Sequence, residues 1–297
     1  MKILITGGDG QLALALARAL RSAHELTLVS RRELDITDAA ACQRWIGHVR
    51  PDVVLNAAAY TAVDRAESEV DLAFAVNCDG PGHLARACAG VDALLVHFST
   101  DYVFDGHPSQ RRAYREDDAT APLGVYGASK LAGEQAVASL CPAHLIFRLS
   151  WVYSNDGANF YKTMLRLAGE RNELRVVADQ WGVPNYAADL AATIARIATL
   201  PLDELRARRG VYHLSATAEN PDHGVSWHAF ATAIVAGAGL GNRVAVTPIN
   251  TSDYPTAARR PAFSVLDGER ARKTFGLNLP DWRDALIRCL AARASTR

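Results

Sequence analysis

The chain has no excess of either charge, no long apolar run and no clustered cysteines. Its 297 residues include 32 basic and 32 acidic side chains, so the formal net charge is zero. A neutral chain gives no electrostatic reason to expect a nucleic acid polymer or an anionic membrane as the main partner. Any anion that it binds must therefore be held by a local site.

The scarcity of cysteine argues against a disulfide framework and against structural zinc. The five cysteines are widely spaced, form no Cys-x-x-Cys pair and have no histidine at zinc-ligand spacing. The amino-terminal MKILITGG holds one lysine and a short apolar run, which is too short for a signal peptide or a membrane span. We therefore expect a cytoplasmic protein that works away from membranes.

Short apolar runs alternate with longer helix-like stretches in the first half of the chain. The runs cover residues 3–6, 26–29, 53–56, 94–99 and 145–149, and they are largely unalternating, as strands covered on both faces are. Stretches rich in Ala, Leu, Glu and Arg lie between them at 11–22, 38–48, 71–89 and 126–140. This repeated order predicts an α/β fold with a Rossmann-type, doubly wound parallel sheet.

The pattern of the sequence changes after Trp151. Loops carrying Asn, Gly and Pro separate two more helical stretches, 187–199 and 226–238. No flexible linker marks the junction, so we expect two lobes with a shared interface and a ligand cleft between them. The predicted division is a dinucleotide-binding domain over 1–150 and a smaller, mainly substrate-binding lobe over 151–297, interleaved with the first.

The first predicted strand runs directly into a glycine turn, TGGDGQLA at residues 6–13. Gly7 would allow a tight turn, Gly10 would let the backbone approach a pyrophosphate, and the small Ala13 would let the following helix pack closely. The phosphates would then lie at a helix N-terminus. An isolated turn of this kind also occurs without a ligand, but its position at the first strand–helix junction favours a dinucleotide site.

The end of the second predicted strand bears on which nicotinamide cofactor is used. An acidic residue there would bind a ribose 2′-hydroxyl, whereas this chain has Ser30, Arg31 and Arg32. A hydroxyl followed by guanidinium groups suits a 2′-phosphate, which favours NADPH over NADH. Arginines on a loop are also often simply solvated, and Glu33 lies close by, so use of NADH stays open.

A tyrosine and a lysine open the helical stretch that begins YGASK. The spacing of four places Tyr126 and Lys130 on one helix face, a turn apart. A nearby ammonium would lower the pKa of the phenol toward neutrality and make it an acid–base catalyst. An ordinary surface pair has the same spacing, but Thr100 ends a preceding apolar strand, where open parallel sheets bind ligands. The three side chains together are more specific than the pair alone.

The motifs continue along nearly the whole chain. They include LDITD at 34–38, NAAAYTAVDRAES at 56–68, STDYVFDG at 99–106, RLSWVYS at 148–154, DQWGVP at 179–184 and RRPAFSVLD at 259–267. With these runs the sequence resembles the extended short-chain dehydrogenase/reductase family, and within it the members that reduce 4-keto sugar nucleotides. The resemblance implies NADPH-dependent reduction of dTDP-4-dehydro-L-rhamnose to dTDP-L-rhamnose, with a small-molecule sugar nucleotide as partner. A neutral surface with helices rich in Leu and Ala permits a homodimer and a monomer equally well.

The resemblance also implies a set of cofactor contacts. The residues at 10–12 would hold the pyrophosphate, those at 35–36 the adenine side, and those at 59–61 the middle of the cofactor. The full expected set is Gly7, Gly10, Gln11, Leu12, Ser30, Arg31, Asp35, Ile36, Ala57, Ala58, Ala59, Tyr60, Thr61, Tyr126 and Lys130.

For the reaction, the resemblance implies that Tyr126 donates the proton, Lys130 holds the nicotinamide ribose and tunes Tyr126, and Thr100 orients the substrate oxygen. The expected substrate-binding residues are Thr100, Asp101, Tyr102, Val63 and Trp151, with Thr61, Asn159, Gln180 and Arg259 as further candidates. Each has a simpler alternative. Trp151 follows a core strand and could be packing, Asp35 could cap a helix, and Arg259 could be a surface charge.

The chain departs from the family pattern at two places. Asn185 follows DQWGVP where threonine is usual, which puts the sugar contacts of that loop in doubt. Some relatives bind magnesium through a carboxylate early in the first helix, but this helix reads LALALARAL. We therefore expect no metal.

Two rival functions stay open on the same fold. A sugar-nucleotide dehydratase typically follows the strand-end threonine with an Asp-Glu pair, whereas this chain has Asp101 and Tyr102. An epimerase is a related possibility, and a non-catalytic NADP-binding regulatory subunit is the alternative from another class. The intact set of Thr100, Tyr126 and Lys130 favours an enzyme.

Overall fold

The computed structural model describes residues 1–107 and 112–294. The strands in these ranges are β1 (Lys2–Thr6), β2 (Glu25–Val29), β3 (Val53–Asn56), β4 (Leu94–Thr100), β5 (His144–Leu149), β6 (Val152–Tyr153), β7 (Glu173–Val177), β8 (Trp181–Gly182), β9 (Asn185–Tyr186), β10 (Gly210–His213), β11 (Val225–Ser226) and β12 (Ala245–Ile249).

The helices are α1 (Gln11–Leu20), α2 (Ala39–Val49), α3 (Val63–Ala66), α4 (Val70–Phe74), α5 (Gly80–Gly90), α6 (Val125–Leu140), α7 (Phe160–Glu170), α8 (Ala187–Ile197), α9 (Leu202–Ala207), α10 (Trp227–Gly237), α11 (Glu269–Phe275) and α12 (Trp282–Ala294). A π-helical turn, Ala75–Asp79, joins α4 to α5, and short 3-10 turns lie at Asp101–Val103 and Thr251–Asp253. None of the helices within the described ranges has the length and apolar character needed to cross a membrane.

Six strands form a parallel sheet in the order β10-β5-β4-β3-β1-β2. The chain moves from β1 outward to β2 and then returns to the other side of β1 for β3. This reversal opens a crevice at the carboxyl ends of β1 and β3, where sheets of this kind bind ligands. The predicted fold class is confirmed.

The two faces of the sheet bury alternate residues of each strand. Ile3 and Ile5 belong to one apolar cluster with Leu16 of α1 and Ile194 of α8. Leu4 belongs to the opposite cluster. The latter also contains Ile46 of α2, Leu84 of α5 and Val137 of α6. Because successive side chains of a strand point to opposite faces, a strand covered by helices on both sides is apolar at every position.

The later part of the chain contributes to both lobes. The parallel pair β7–β12 packs with α7, α10 and α12 around a third apolar cluster that contains Phe230 and Trp282. The sixth strand of the main sheet, β10, comes from beyond the predicted division at residue 150 and pairs with β5. The two-lobe division itself stays a prediction.

The predicted strands and helices of the first half lie where the structure has them, within two residues at most ends. The stretch expected as one helix over 71–89 is instead α4, the π-turn and α5 in continuous succession. The sequence did not predict β6, β8, β9 and β11, because a two-residue strand carries no periodic pattern.

Two glycines of α6 allow this helix to lie unusually close to its neighbours. A Cβ at Gly127 would overlap the carbonyl oxygen of Tyr102, and a Cβ at Gly133 would overlap that of Asn77 in the π-turn. In both cases the obstacle is backbone, which cannot rotate away. The two glycines of the motif YGASKLAGE therefore lie where α6 contacts the backbone just after β4 and the backbone of the π-turn.

We predict that Gly133→Ala lowers the free energy of unfolding by about 1–3 kcal/mol, because overpacking forces the helix away from Asn77. The matched control is Gly169→Ala on α7, where nothing lies within 4 Å of the added Cβ. The control should gain up to about 1 kcal/mol from helix propensity. Urea denaturation of the two variants measures both effects. Equal stability of the two variants would contradict the close approach of α6.

Candidate active site

The glycine turn has the backbone conformation that its residues suggest. Gly7 has a φ of 71°, which favours glycine. A Cβ there would lie 2.7 Å from the backbone nitrogen of Ala58. The amide of Gly10 donates to the carbonyl of Gly7 at 2.8 Å. Gly10 precedes α1 and supplies no side-chain cap, so the first amides of α1 are available to an anion.

A cavity of about 220 Å³ lies beside this turn. Nine of the expected cofactor residues line it: Gly7, Gly10, Arg31, Asp35, Ile36, Ala57, Ala58, Ala59 and Tyr60. Asp9, Leu34 and Val76 also line it and were missed. Asp9 lies inside the recognised turn and Leu34 beside Asp35, so adjacency could have suggested both, whereas Val76 gave no signal distinct from helix packing.

The cavity fits a dinucleotide on the chemistry of its walls. Its glycine turn packs directly on the chain after β3, because a Cβ at Gly7 would overlap the backbone of Ala57 and Ala58. The alanines after β3 form a small-residue wall, and the start of α1 offers backbone donors. Ser30, Gln11, Leu12 and Thr61 are expected cofactor residues that lie outside this lining.

The side chain of Gln11 connects the glycine turn to β6 and to the loop after it. Its Nε2 donates to the carbonyl of Val152 at 3.1 Å. Its Oε1 accepts from the hydroxyl of Ser154 and from Nδ2 of Asn159, both at 3.2 Å. Asn159 also caps α7 by accepting from the amide of Lys162. Asn159, a candidate for sugar binding, therefore has a structural role.

The donors expected to face a 2′-phosphate already have acidic partners. The amide and hydroxyl of Ser30 both donate to Oε2 of Glu33 at 2.8 Å, and these bonds lower the pKa of Glu33. The Nε of exposed Arg31 lies 3.3 Å from a carboxylate oxygen of Asp35. Asp38, and not Asp35, caps α2. The sequence noted Glu33 nearby but could not show that it occupies these donors.

Asn77 holds the loop that carries Tyr60. Its Oδ1 accepts from the amide of Tyr60 at 2.8 Å, and its Nδ2 donates to the carbonyl of the same residue at 3.0 Å. The same Nδ2 donates to the hydroxyl of Ser129 on α6 at 3.1 Å. Asn77 lies in the π-turn, so this irregular turn fixes the cofactor-side loop to the helix that carries Tyr126.

Thr100 and Tyr126 come together as predicted. Thr100 is the last residue of β4, and its hydroxyl lies 3.0 Å from Oδ1 of Asp101. Its side chain also lies close enough to Tyr126, near the start of α6, to influence the pKa of the phenol. The ring of Tyr102 meets the ring of Tyr126 edge-on, with a centroid distance of 5.5 Å and an angle of 76°.

The pKa of Tyr126 moves in the opposite direction from the one that the sequence predicts. Burial of the hydroxyl raises it to about 12, the nearby hydroxyl of Thr100 opposes this, and the charge of Asp101 adds to it. Lys130 does not lower the pKa of Tyr126 as expected, because its amine lies against the sheet. The Lys130 Nζ donates to the carbonyl of Phe98 at 2.6 Å.

Lys130 is a buried lysine with a perturbed pKa. Burial lowers its pKa from 10.5 to about 8, and the charge of Glu134 one turn along α6 opposes this shift. Glu134 is itself paired with Arg148 of β5, at 2.7 and 2.9 Å, with both side chains only 5% exposed. A lysine that titrates near neutrality is typical of a functional site.

Asp101 is a buried carboxyl group at the centre of the site. Burial raises its pKa to about 6, against the influence of the nearby Ser264 hydroxyl and the hydrogen bond from Thr100 to Oδ1. The other carboxylate oxygen, Oδ2, is buried without a hydrogen-bond partner. Ser264 is a residue that the sequence missed, although it lies within the motif RRPAFSVLD. It is brought to the site by its pairing with the backbone of Trp181.

The structure places Arg260, and not Arg259, beside the site. Arg260 forms an ion pair with Asp64 of α3 at 2.8 Å, and its charge lowers the pKa of Tyr102 against burial. The neighbouring Arg259 is exposed, which fits its alternative as a surface charge. Val63 precedes Asp64 and is half-buried.

Trp151 is half-buried and packs against a second indole ring. Its φ of 43° is rare for a bulky residue. Its ring stacks on Trp227 with a centroid distance of 3.4 Å, and it covers Gly182, where a Cβ would lie 2.5 Å from the indole. A strained backbone of this kind is often retained at ligand sites.

Two further predicted positions are structural. Gln180 is buried and donates to the hydroxyl of Thr251 at 3.1 Å. Asn185 is buried and links Ser150 to Ala216, donating to the carbonyl of the first and accepting from the amide of the second, both at 2.7 Å. In residues 1–107 and 112–294, no group of three or more His, Cys, Asp or Glu side chains is arranged to hold a metal ion.

Comparison with known proteins gives full-length matches. Residues 1–295 match the family model described as the RmlD substrate binding domain. The chain is 45% identical over 299 residues to the dTDP-4-dehydrorhamnose reductase of Burkholderia thailandensis, with 98% of each chain covered. It is 41% identical to the dTDP-4-dehydrorhamnose reductase of Escherichia coli, with 98% of this chain and 97% of the relative covered.

A solved structure is also similar over its full length. The crystal structure of a dTDP-4-dehydrorhamnose reductase from Bacillus anthracis in complex with NADP matches with a TM-score of 0.90 and 38% identity. The match covers 98% of this chain and 99% of that chain.

We predict that Asp101→Asn raises the thermal midpoint at neutral pH. The folded pKa of about 6 lies above the ordinary value of 3.8, so the folded state binds more protons than the unfolded state between these values. The contribution of the group to stability is therefore complete below about pH 4 and is lost as pH rises through about 6, a cost on the order of 3 kcal/mol.

Scanning calorimetry from acidic to neutral pH measures the effect, and the two proteins should converge in stability at the acidic end. The control is Asp203→Asn, whose side chain is 94% exposed and should leave the midpoint unchanged. A wild-type protein more stable than the Asp101 variant at neutral pH would contradict the cost of burial.

Proposed function

Since the chain belongs to the family of the RmlD substrate binding domain, we propose that it reduces the 4-keto group of dTDP-4-dehydro-L-rhamnose to give dTDP-L-rhamnose, with NADPH as reductant. The observation that carries the proposal is the meeting of Thr100 and Tyr126 at the carboxyl end of β4, at the edge of the sheet that holds the glycine turn. A carbonyl held there would face both a hydroxyl and a phenol.

The cofactor-binding proposal assigns specific roles to the chain around the cavity. Gly7 and Gly10, with the amides at the start of α1, would hold the pyrophosphate, and Ala57 to Tyr60 would line its middle. When bound, NADPH supplies the hydride that reduces the sugar carbonyl.

Tyr126 would donate the proton to the substrate oxygen. A pKa of about 12 keeps the phenol protonated at neutral pH, as a proton donor requires. Thr100, whose hydroxyl lies beside it, would orient the carbonyl oxygen. In its charged form, Lys130 would stabilise the phenolate that remains if its amine left the carbonyl of Phe98.

The sugar nucleotide would lie against the residues that surround Tyr126 on the side of the second lobe. Tyr102 and Trp151 present aromatic surface, Asp101 presents a hydrogen-bonding carboxyl group, and Val63 presents a half-buried apolar side chain. These groups would position the sugar and keep water from Tyr126. Arg260 and Ser264 support the same surface through Asp64 and Asp101.

We also propose a cytoplasmic location and a homodimer. All five cysteines are free thiols, as is usual in a reducing compartment. The dimer rests on the neutral charge of a chain whose helices are rich in Leu and Ala, and light scattering on the purified protein would decide it.

We predict that Tyr126→Phe lowers kcat by about 10²–10⁴-fold while the KM for NADPH changes little, because the phenol acts on the transition state. The assay follows NADPH absorbance with dTDP-4-dehydro-L-rhamnose generated from dTDP-glucose. Tyr212→Phe is the control, since the hydroxyl of Tyr212 on β10 donates to the carbonyl of Arg208 at the end of α9. Turnover by the Tyr126 variant at the wild-type rate would refute the role. Binding of NADPH by the wild type without turnover would favour a regulatory subunit.

We predict that Glu33→Gln increases the ratio of kcat/KM for NADPH to that for NADH by about threefold or more. Glu33 occupies the Ser30 donors that a 2′-phosphate would need, and its charge repels that phosphate, whereas a 2′-hydroxyl can donate to it. The same assay with both cofactors measures the ratio. Glu25→Gln, on an exposed carboxylate at the other end of β2, is the control. An unchanged or lower ratio for Glu33→Gln would show that the carboxylate does not influence the choice.

A further inference from the structure

A row of buried polar side chains crosses the sheet and ends at Lys130. It starts at Thr6 on β1, passes through Asn56 on β3 and His97 on β4, and reaches the lysine on α6. None of the four side chains is more than 2% exposed. The successive distances are 2.7 Å from the Thr6 hydroxyl to Asn56 Oδ1, 3.1 Å from Asn56 Nδ2 to His97 Nδ1, and 3.4 Å from His97 Nε2 to Lys130 Nζ.

The orientation of Asn56 follows from a backbone donor. The amide of Ala58 lies 3.3 Å from Oδ1 of Asn56, and an amide N–H can only donate. The oxygen of the side chain therefore faces Ala58 and Thr6, and its NH₂ group faces His97. His97 must then accept at Nδ1.

The protonation of His97 follows in turn. Burial and the charge of Lys130 hold the pKa of His97 well below its ordinary value, so the ring is neutral. A neutral imidazole carries one proton, and with Nδ1 accepting from Asn56 that proton must be on Nε2. The Nε2 atom is the one that faces the amine of Lys130.

We propose that His97 is a positioning residue for Lys130, held by Asn56 in the tautomer whose Nε2–H points at the lysine amine. An uncharged amine can accept that N–H with its lone pair, whereas an ammonium group has only donors and is opposed by it. The carbonyl of Phe98 accepts from either form. His97 therefore favours the neutral amine at the sheet and drives the charged form toward Tyr126.

The other groups near the Lys130 amine do not favour its neutral form as His97 does. Glu134 on α6 favours the ammonium, but its charge is shared with Arg148 of β5. Tyr126, on the same helix, stays protonated at neutral pH. Where the π-turn packs on α6, the side chain that reaches the helix is the uncharged Asn77, through Ser129. On β4, the titratable group in contact with the amine is His97.

The inference rests on the proposed function for its consequence in catalysis. If the ammonium form of Lys130 stabilises the phenolate of Tyr126, then kcat/KM falls above the pKa of Lys130. His97 would set the pH at which that decline begins. The tautomer and the lysine pKa can both be measured without turnover, so failure of this inference is distinguishable from failure of the proposed function.

The first measurement is the tautomer of His97 in the wild-type protein. Long-range ¹⁵N–¹H NMR distinguishes a protonated Nε2 from a protonated Nδ1, and His97→Gln assigns the resonance among nine histidines. We expect Nε2–H. A proton on Nδ1 would overturn the proposal, and this result needs no variant other than the one used for assignment.

The second measurement is the pKa of Lys130 by ¹³C NMR, in a chain with only four lysines. His97→Met removes the opposing N–H, so the pKa should rise enough to increase the ratio of ammonium to amine roughly threefold at a fixed pH, and the basic limb of kcat/KM should move to higher pH with it. A purely structural role predicts the reverse, because a more apolar neighbour lowers the pKa of a buried lysine. An unchanged or lower pKa would therefore overturn the proposal.

Two further variants serve as controls. His97→Gln can accept from Asn56 through its oxygen and present its NH₂ to Lys130, so it should keep the pKa near the wild-type value. His144→Gln alters a buried histidine at the start of the adjacent strand β5, whose Nδ1 contacts the carbonyl of Cys141, and it should shift neither the pKa of Lys130 nor the pH profile. A shift in His144→Gln equal to that in His97→Met would show that the effect is not local and would refute the role.

Discussion

The close approach of α6 to the end of β4 and to the π-turn is the constraint on which the site depends. Gly127 and Gly133 permit it, because a side chain at either position would overlap a backbone carbonyl. The approach places Tyr126 against Thr100 and Tyr102, and it buries Lys130 against the carbonyl of Phe98. A helix one side chain farther away would leave these groups in water with ordinary acidity.

Burial also shifts the pKa values of three ionisable side chains in the site. The phenol of Tyr126 and the carboxyl group of Asp101 become harder to ionise, and the amine of Lys130 becomes easier to deprotonate. All three shifts have desolvation as their largest cause. The result is a group of side chains that are uncharged or close to a transition at neutral pH, which suits proton transfer.

Much of the fold and part of the site could be predicted from the sequence, for local reasons. The parallel strands are continuous apolar runs, and the glycine turn requires a φ that few residues adopt, so both carry signals within a few residues. Arg260 and Ser264 carry no such signal, because they lie beside Asp64 and Asp101, which are 196 and 163 residues earlier in the chain. The direction of the pKa shift of Tyr126 was wrong because helical spacing places Lys130 nearby without fixing where its amine points.

The hydrogen bonds of Gln11 have a consequence for how ligands enter and leave. They join the phosphate-facing turn to Val152, Ser154 and Asn159, and Arg18 of the same helix is paired with Asp156 of that loop. A motion that separated α1 from that loop would have to break all of these contacts at once. A reductase must exchange its nicotinamide at every turnover, and these contacts favour an exchange during which α1 and the loop stay together.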